Sequence, residues 1–226
     1  MFIVIEGLDG AGKSTQVRLL QKYFDTNGIE NFFLHFPRFD APIYGELIAA
    51  FLRGEFGDVT GVDPRLVALL YAGDRNEAGP MIKDKLRSGT AVISDRYVYS
   101  NIAFQCAKIS DGIKREELRR NILYMEYEHF AIPLPDLNIF LDVPFEFTEK
   151  KLSQRRIGVD RSYLQGKKDI HESDLDLQKR VREIYIQQAE SDEKFRIIDC
   201  MDENSKMKNP RRIHNEIIDL LSTVRK

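Results

Sequence analysis

The sequence predicts an α/β fold in which helices flank a five-stranded parallel sheet. Two observations carry this prediction. Five short apolar runs are continuous rather than alternating, which is typical of strands that are covered on both faces. Helical patterns separate these runs, and strands that alternate with helices form parallel, doubly wound sheets. With 226 residues, we expect one domain over residues 1–226.

The five predicted strands are spread along the whole chain. They are Phe2–Ile5, Phe32–Phe36, Ala91–Ile93, Leu137–Val143 and Phe195–Ile198. A first helix, Ser14–Phe24, follows the first strand after a glycine-rich turn. Asp63 and Pro64 are typical of an N-cap and a first helical turn, and they begin a helix that runs towards Ala78. The remaining predicted helices are Lys114–Phe130, Glu149–Arg155, Leu175–Ala189 and Pro210–Val224.

Composition and charge narrow the class of partner. The chain has 34 basic and 36 acidic residues, whereas binding through a nucleic-acid backbone requires a basic excess, so we expect no nucleic-acid partner. The short apolar start of the chain ends at Glu6, so we expect neither a signal peptide nor a membrane partner. Cys106 and Cys200 lie far apart and outside any C-x-x-C pair, which indicates reduced thiols of a cytoplasmic protein.

The strongest motif is a glycine-rich loop between the first strand and the first helix. It matches G-x-x-x-x-G-K-[ST] and comprises Gly7, Leu8, Asp9, Gly10, Ala11, Gly12, Lys13, Ser14 and Thr15. Its backbone N–H groups and the following helix N-terminus suit a phosphate group. Lys13 can bridge the β- and γ-phosphates, and the Ser14 hydroxyl can bind Mg²⁺. The nine residues, called the phosphate loop below, are therefore predicted to bind ATP.

A second motif follows the third strand. Asp95 and Arg96 come at its carboxyl end, where ligands of parallel sheets gather. We expect Asp95 to lie beside the phosphate loop and Arg96 to project into the cleft where two phosphates meet. An ordinary surface ion pair is the alternative. The tetrapeptide N-K-x-D, which is typical of switch GTPases, does not occur in the chain.

Four spaced motifs and a short fifth stretch together resemble the thymidylate kinase family over nearly the whole chain. They are residues 5–15 (IEGLDGAGKST), 36–39 (FPRF), 70–75 (LYAGDR), 95–104 (DRYVYSNIAF) and 135–137 (PDL). This resemblance implies the nucleoside-monophosphate-kinase fold of the P-loop NTPases. It also implies phosphorylation of dTMP to dTDP with MgATP and a homodimer, for which the helices Pro64–Ala78 and Asn121–Phe130 are candidate interfaces.

The resemblance implies a dTMP site as well. Its residues are Asp9, Phe36, Arg38, Phe39, Tyr71, Arg75, Arg96, Asn101 and Phe104. Arg38 and Arg96 suit the acceptor phosphate, because guanidinium groups match phosphate geometry. Tyr71 and Arg75 are four residues apart on one helix face, and the family places such residues against thymine. Asn101 can accept a hydrogen bond from the thymine N3–H, and Phe104 packs beside the sugar.

The segment 155–172, called the lid below, is polar and lacks a sustained apolar stripe. It is either a solvated loop or a mobile lid, because long insertions in compact domains are usually functional. Gly10 stands where some relatives carry an arginine, so the chain resembles the bacterial kind, in which the lid supplies that cation. The catalytic candidates are Lys13, Arg96, Arg155, Arg156 and Arg161, and the magnesium candidates are Asp9, Ser14 and Asp95.

Other lid residues carry weaker signals. Asp169 and Glu172 fall where the family has acidic residues near the acceptor and the metal, and His171 stands where an aromatic side chain is common. By itself, His171 is interpreted as a solvated loop residue. Two alternatives to a dTMP kinase remain: a kinase of dUMP-like or CMP substrates, and a P-loop protein that has lost catalysis. The presence of Lys13 and Arg96 argues against loss of catalysis.

Overall fold

The computed structural model describes residues 1–153, 159–204 and 206–224. Its five strands form one parallel sheet in the order β2-β3-β1-β4-β5. They are β1 Phe2–Gly7, β2 Asn31–His35, β3 Ala91–Asp95, β4 Leu137–Asp142 and β5 Phe195–Asp199. The sheet and all five predicted strands are confirmed, each strand to within two residues at either end.

Eight α-helices surround the sheet within the described residues. They are α1 Lys13–Thr26, α2 Tyr44–Leu52, α3 Pro64–Arg87, α4 Val98–Cys106, α5 Gly112–Leu123, α6 Phe145–Ser153, α7 Leu175–Ser191 and α8 Pro210–Val224. A π-helical turn, Tyr124–His129, continues α5, and a 3₁₀ helix, Val159–Leu164, lies in the lid. None of the described helices is both long enough and apolar enough to cross a membrane.

The helices differ from the sequence prediction at identifiable places. Helix α3 continues through Pro80 to Arg87 instead of ending near Ala78. Ala78 and Ile82 are both buried in the core, so packing offsets the hydrogen bond that the proline removes. Helix α6 begins at Phe145 rather than at Glu149, and the predicted end of that helix lies outside the described residues.

Helix α2 was not predicted, because five of its nine residues are apolar and buried in one run. Such a run lacks the amphipathic period that reveals a surface helix. The N-cap of α3 is confirmed: the Asp63 side chain accepts a hydrogen bond from the backbone N–H of Arg65, and Pro64 occupies the first turn. Cys106 and Cys200 are buried and free, as predicted.

The central strand β1 supplies both sides of the core. Phe2 and Val4 pack with α3, α4, α5 and α7 on one face of the sheet. Ile3 and Ile5 pack with α1 and α8 on the other face. This alternation follows from the two-residue repeat of a strand. The sheet therefore forms the middle layer between two layers of helices. The carboxyl ends of β1, β2 and β3 then meet at one edge of the sheet.

The start of α2 packs directly on the loop that follows β2. A Cβ atom on Gly45 would lie 2.5 Å from the carbonyl oxygen of Arg38 and 2.8 Å from that of Phe39. Both neighbouring atoms belong to the backbone, so neither can rotate away. Only glycine allows this approach, and the position of Arg38 therefore depends on the absence of a side chain at Gly45.

We expect Gly45→Ala to lower the free energy of unfolding by about 1–3 kcal/mol, because the added methyl group overpacks a rigid contact. The loop with Arg38 must also move in this variant. Gly112→Ala is the matched control, as a Cβ there meets nothing within 4 Å. Urea unfolding of both variants measures the difference. Equal stability of Gly45→Ala and the parent would contradict the close approach.

Candidate active site

A cleft of about 1500 Å³ opens at the carboxyl edge of the sheet. Its lining includes all nine residues predicted to bind dTMP, and also Ser14, Asp95 and Arg161. Of the phosphate loop, Gly7 and Leu8 lie behind the cleft, and the other seven residues line it. Arg155 and Arg156 lie outside the described residues. The structure thus brings the predicted residues that it describes to one place.

The phosphate loop is held in a tight conformation. Gly10 and Gly12 have φ angles of +81° and +86°, which other residues rarely adopt, so glycine is required at both positions. Lys13 begins α1, and its Nζ donates hydrogen bonds to the carbonyl oxygens of Gly7 (3.3 Å) and Leu8 (3.0 Å). Burial, together with the nearby charge of Arg96, lowers the pKa of Lys13.

Arg96 occupies the centre of the cleft. Its backbone has a φ of +70°, an uncommon value for a residue with a side chain. The guanidinium donates from Nη2 to Asp9 Oδ1 (2.6 Å) and from Nη1 to Ser100 Oγ (3.2 Å), and it lies 5.2 Å from the ring centre of Phe104. Burial opposes its charge, but the combined charges of Asp9, Asp95 and Glu6, with Tyr185, outweigh burial and raise the pKa of Arg96. The cation is therefore fixed and permanently charged.

Arg38 is fixed by a carboxylate for which sequence reasoning gave no role. Its Nε donates to Asp74 Oδ1 (2.8 Å), its backbone N–H donates to Asp74 Oδ2 (2.9 Å), and its Nη2 donates to the Asp74 carbonyl (2.9 Å). Burial raises the pKa of Asp74, whereas Arg38 lowers it. Asp74 belongs to the motif 70–75, but nothing in the sequence connects it with Arg38.

The far end of the cleft combines Tyr71, Arg75 and Asn101. Tyr71 and Arg75 lie on α3, and Asn101 comes from α4. Arg75 is 1% exposed and pairs with the fully buried carboxylate of Glu126 in the π-helical turn. Sequence reasoning missed Glu126, because 51 residues separate the two partners.

Comparison with known proteins identifies the family. The family model described as thymidylate kinase matches residues 5–210. The chain is 34% identical to the probable thymidylate kinase of Thermococcus kodakarensis, covering 99% of this chain and 98% of that protein. It is 32% identical to the thymidylate kinase of Mycobacterium tuberculosis, covering 84% and 86%. The solved thymidylate kinase of Candida albicans superposes with a TM-score of 0.71 at 26% identity, covering 98% and 91%.

The chain belongs to the thymidylate kinase family. The fold class and the family resemblance expected from the sequence are thereby confirmed, and the chain is a kinase of dTMP. This activity requires one cleft that holds two phosphorylated nucleotides side by side. The cleft described above is lined both by the phosphate loop and by Tyr71, Arg75 and Asn101.

Asp95 and Ser14 of this thymidylate kinase suit a magnesium ion. Asp95 is buried, and burial raises its pKa, but Lys13 and His35 outweigh burial and lower the pKa below its usual value. Its Oδ1 is buried with no hydrogen-bond partner among the described residues, so an ionised oxygen remains for a cation or its water. Asp9, the third magnesium candidate, differs from Asp95 because its carboxylate accepts hydrogen bonds from Arg96 and Gln178.

The described residues contain no group of three or more His, Cys, Asp or Glu side chains arranged to hold a metal ion. Magnesium needs few protein ligands when phosphate oxygens and water complete its shell. The donor set of Asp95 and Ser14 therefore fits the ion that accompanies ATP.

Glu6 supports the centre of the cleft and was missed as a site residue. It is fully buried and accepts hydrogen bonds from Ser100 Oγ (2.5 Å), Tyr185 Oη (2.9 Å) and the backbone N–H of Tyr97 (2.9 Å). Burial raises its pKa. Through Ser100 and Tyr97 it secures the turn that carries Arg96. A charged residue in an otherwise apolar strand was the available signal.

Several lid residues within 161–172 pack against the body of the protein, so the solvated-loop alternative does not hold for them. The Tyr163 ring stacks on Phe39 with 3.7 Å between ring centres, and the backbone N–H of Ile170 donates to the Leu52 carbonyl (3.0 Å). One contact is made by an aromatic ring and the other by the backbone, so the polar composition of the segment did not predict them. The described part of the lid therefore packs on the body of the enzyme.

His171 is a buried residue, contrary to its interpretation as a solvated one. It is 5% exposed, it stacks on Phe104 at 5.0 Å, and it meets the edge of Phe51 at 5.4 Å. Burial, reinforced by the charge of Lys108, lowers the pKa of His171 well below its usual value. The neutral imidazole therefore fills the aromatic position that the family resemblance implies.

Arg161 lines the cleft from the lid and forms a double hydrogen bond with Glu172. Its Nη1 and Nη2 lie 2.8 Å and 2.6 Å from the two Glu172 oxygens. Asp169 lies in the same cluster and accepts a hydrogen bond from Tyr163 Oη (2.9 Å). Burial, with the negative charges of Asp9 and Glu172, raises the pKa of Asp169 from 3.8 to about 7.

The raised pKa of Asp169 predicts a pH-dependent stability. Between about pH 4 and pH 7 the folded protein keeps a proton on Asp169 that the unfolded chain releases, so this residue's contribution to stability falls as pH rises through that window. Asp169→Asn removes this dependence. The parent loses this contribution as pH rises, whereas the variant does not. We therefore expect the unfolding free energy of the variant minus that of the parent to increase by up to about 1 kcal/mol per pH unit.

Urea unfolding of both proteins from pH 5 to pH 8 measures this difference. The comparison cancels the titration of all other groups. A difference that stays constant over that range would contradict the raised pKa of Asp169.

Proposed function

We propose that this cleft transfers the γ-phosphoryl group of MgATP to the 5′-phosphate of dTMP, and that residues 1–226 act as one domain. The observation that carries this proposal is the placement of Arg96. It bonds Asp9 of the phosphate loop on one side and packs on Phe104 of the predicted dTMP site on the other. A cation held between the two ends suits a reaction in which two polyanions must approach.

The donor end takes ATP through the phosphate loop. The backbone N–H groups and the N-terminus of α1 surround the phosphates, and Lys13 moves from the carbonyls of Gly7 and Leu8 to the β- and γ-phosphate oxygens. The Ser14 hydroxyl and the Asp95 carboxylate hold the accompanying magnesium ion. When bound there, that ion would supply positive charge against the phosphate oxygens.

The acceptor end takes dTMP. Arg38 and Arg96 bind its 5′-phosphate, whose oxygens are already ionised near neutral pH because the second phosphate pKa is about 6. The acceptor oxygen therefore needs no general base, and alignment with the γ-phosphate is sufficient. Tyr71 stacks on the base and Phe104 packs beside the sugar. Phe36 and Phe39 add apolar lining; Phe39 stacks on Tyr163 of the lid, and Phe36 packs on Tyr97.

The lid supplies the remaining positive charge. Gly10 leaves the phosphate loop without an arginine, and the lid carries Arg155, Arg156 and Arg161. Arg161 already lines the cleft, where Glu172 fixes its orientation. We therefore propose that at least one of the three arginines contacts the transferring phosphoryl group when both nucleotides are bound.

We also infer a homodimer in the cytoplasm. Leu66 and Leu69 of α3 are 60% and 47% exposed, and Tyr124 of the π-helical turn is 65% exposed. Large apolar side chains at such exposure favour a protein partner, and these three lie in the two segments that the sequence analysis assigns to an interface. The free thiols of Cys106 and Cys200 suit a reducing compartment.

Lys13→Met tests the donor end. We expect kcat to fall by about 100-fold or more, because the phosphates lose a cation that is fixed before the reaction. Lys22→Met, an exposed position on the same helix, is the matched control and should keep the parent kcat. A coupled assay of ADP release measures both. A folded Lys13→Met enzyme with near-parent turnover would refute the assignment of the phosphate loop.

The triple variant Arg155→Ala/Arg156→Ala/Arg161→Ala tests the lid. We expect the single-turnover rate to fall about tenfold to thousandfold, which is a cautious figure beside the roughly 10³–10⁵-fold gain that an arginine finger supplied by a partner protein gives. The dTMP affinity should change much less, because the contact forms mainly in the transition state. Lys167→Ala/Lys168→Ala removes two charges from the same segment and is the matched control. If the triple variant keeps more than about half of the parent rate, the lid does not supply a catalytic cation.

A further inference from the structure

We infer that Glu126 is a positioning residue that determines which pyrimidine the cleft accepts. It fixes one hydrogen-bond acceptor and one donor at the base end, and this pair matches a base with N3–H and a 4-oxo group but not one with a 4-amino group. The inference rests on the proposed function and on the family resemblance, which implies that Arg75 and Asn101 face the base. Glu126 itself lies behind both residues.

Glu126 holds both residues with one carboxylate. Its Oε2 accepts from Arg75 Nε (2.5 Å), and its Oε1 accepts from Arg75 Nη2 (2.7 Å) and from Asn101 Nδ2 (3.0 Å). It is fully buried, although its neighbour Tyr124 in the same π-helical turn is largely exposed. π-Helical turns of this kind are frequent at functional sites, where they redirect a side chain.

The consequence for Asn101 is a fixed amide orientation. Both hydrogens of its Nδ2 are engaged, one by Glu126 and the other by the Ala68 carbonyl at 3.0 Å. The reverse orientation would place Oδ1 against two oxygen atoms, a repulsive arrangement. Oδ1 is buried and has no hydrogen-bond partner among the described residues. Asn101 therefore offers the cleft an acceptor and no donor.

The consequence for Arg75 is a fixed donor. Glu126 occupies Nε and one hydrogen of Nη2, so the guanidinium plane cannot rotate, and the hydrogens on Nη1 remain for a ligand. Arg75 is 1% exposed, so it has little water as an alternative partner. It offers the cleft a donor whose direction Glu126 sets.

This acceptor and donor discriminate between pyrimidines. Thymine and uracil present N3–H to the acceptor and the 4-oxo group to the donor. Cytosine presents the opposite pattern, an N3 lone pair beside a 4-amino group, and would leave both buried protein groups unpaired. A site built to hydrogen-bond its substrate rejects such a mismatch strongly. Glu126 does not affect the choice between thymine and uracil, because their hydrogen-bonding edges are identical.

The test is Glu126→Gln, assayed with dTMP, dUMP and dCMP under saturating MgATP. In either orientation the glutamine NH₂ group faces a donor of Arg75, and in one orientation it also faces Nδ2 of Asn101. The variant therefore no longer fixes the acceptor and donor pair. We expect kcat/KM for dTMP to fall about tenfold or more, mainly through KM. The dTMP-to-dCMP ratio of kcat/KM should also fall about tenfold or more, whereas the dTMP-to-dUMP ratio should stay within about twofold.

The two ratios together separate specificity from general damage to the enzyme. A merely structural role would lower kcat/KM for dTMP, dUMP and dCMP alike, so neither the dTMP-to-dCMP ratio nor the dTMP-to-dUMP ratio would change. Glu128→Gln, an exposed position in the same turn, is the matched control and should leave every ratio unchanged. A Glu126→Gln enzyme with the parent dTMP-to-dCMP ratio overturns the inference. A parent enzyme with no preference for dTMP over dCMP would instead overturn the proposed roles of Arg75 and Asn101.

Glu126→Asp serves if the glutamine variant does not fold. It keeps the negative charge but withdraws the carboxylate by one methylene, so it loses contact with Arg75 or Asn101. We expect a lower dTMP-to-dCMP ratio and an unchanged dTMP-to-dUMP ratio. A folded Glu126→Asp enzyme with both parent ratios overturns the inference.

Discussion

Arg38, Arg75 and Arg96, the arginines of the proposed dTMP site, are each held by a carboxylate, and the rest of the site depends on these ion pairs. Asp9 holds Arg96, Asp74 holds Arg38 and Glu126 holds Arg75. A buried charge without a partner would cost several kcal/mol, so the fold can place cations here only with carboxylates beside them. The three acids come from the phosphate loop, α3 and the π-helical turn, which must therefore pack together before the cleft exists.

These pairs make the site rigid in advance of binding. Phosphoryl transfer between two nucleotides depends on alignment and on charge that is already oriented, since the acceptor phosphate needs no activation. Glu6 extends the same principle one layer deeper, because it accepts hydrogen bonds from Tyr97, which follows Arg96 in the chain, and from Ser100, which contacts the Arg96 guanidinium. The lid adds aromatic contacts, because Tyr163 stacks on Phe39 and His171 stacks on Phe104.

Local patterns in the sequence predicted much of this arrangement. The strands followed from continuous apolar runs, and the N-cap of α3 followed from Asp63 and Pro64. Motifs at strand ends predicted the phosphate loop with Asp95 and Arg96, whereas the family resemblance implied the other residues of the dTMP site. Helix α2 could not be predicted, because its buried residues form a run without a helical period. The partner acids were also hidden: Glu126 is 51 residues from Arg75, and Asp74 is 36 residues from Arg38. Pairings over such distances depend on tertiary packing, which no single motif encodes.

A crystal structure of the enzyme with dTMP and a non-hydrolysable ATP analogue tests the central claim most directly. The account predicts that the 5′-phosphate contacts Arg38 and Arg96 and that the thymine edge contacts Arg75 and Asn101. It also predicts that Asp74 and Glu126 keep their hydrogen bonds to Arg38 and Arg75 in the complex. A dTMP phosphate bound away from Arg96, or arginines that leave their carboxylates on binding, would contradict it.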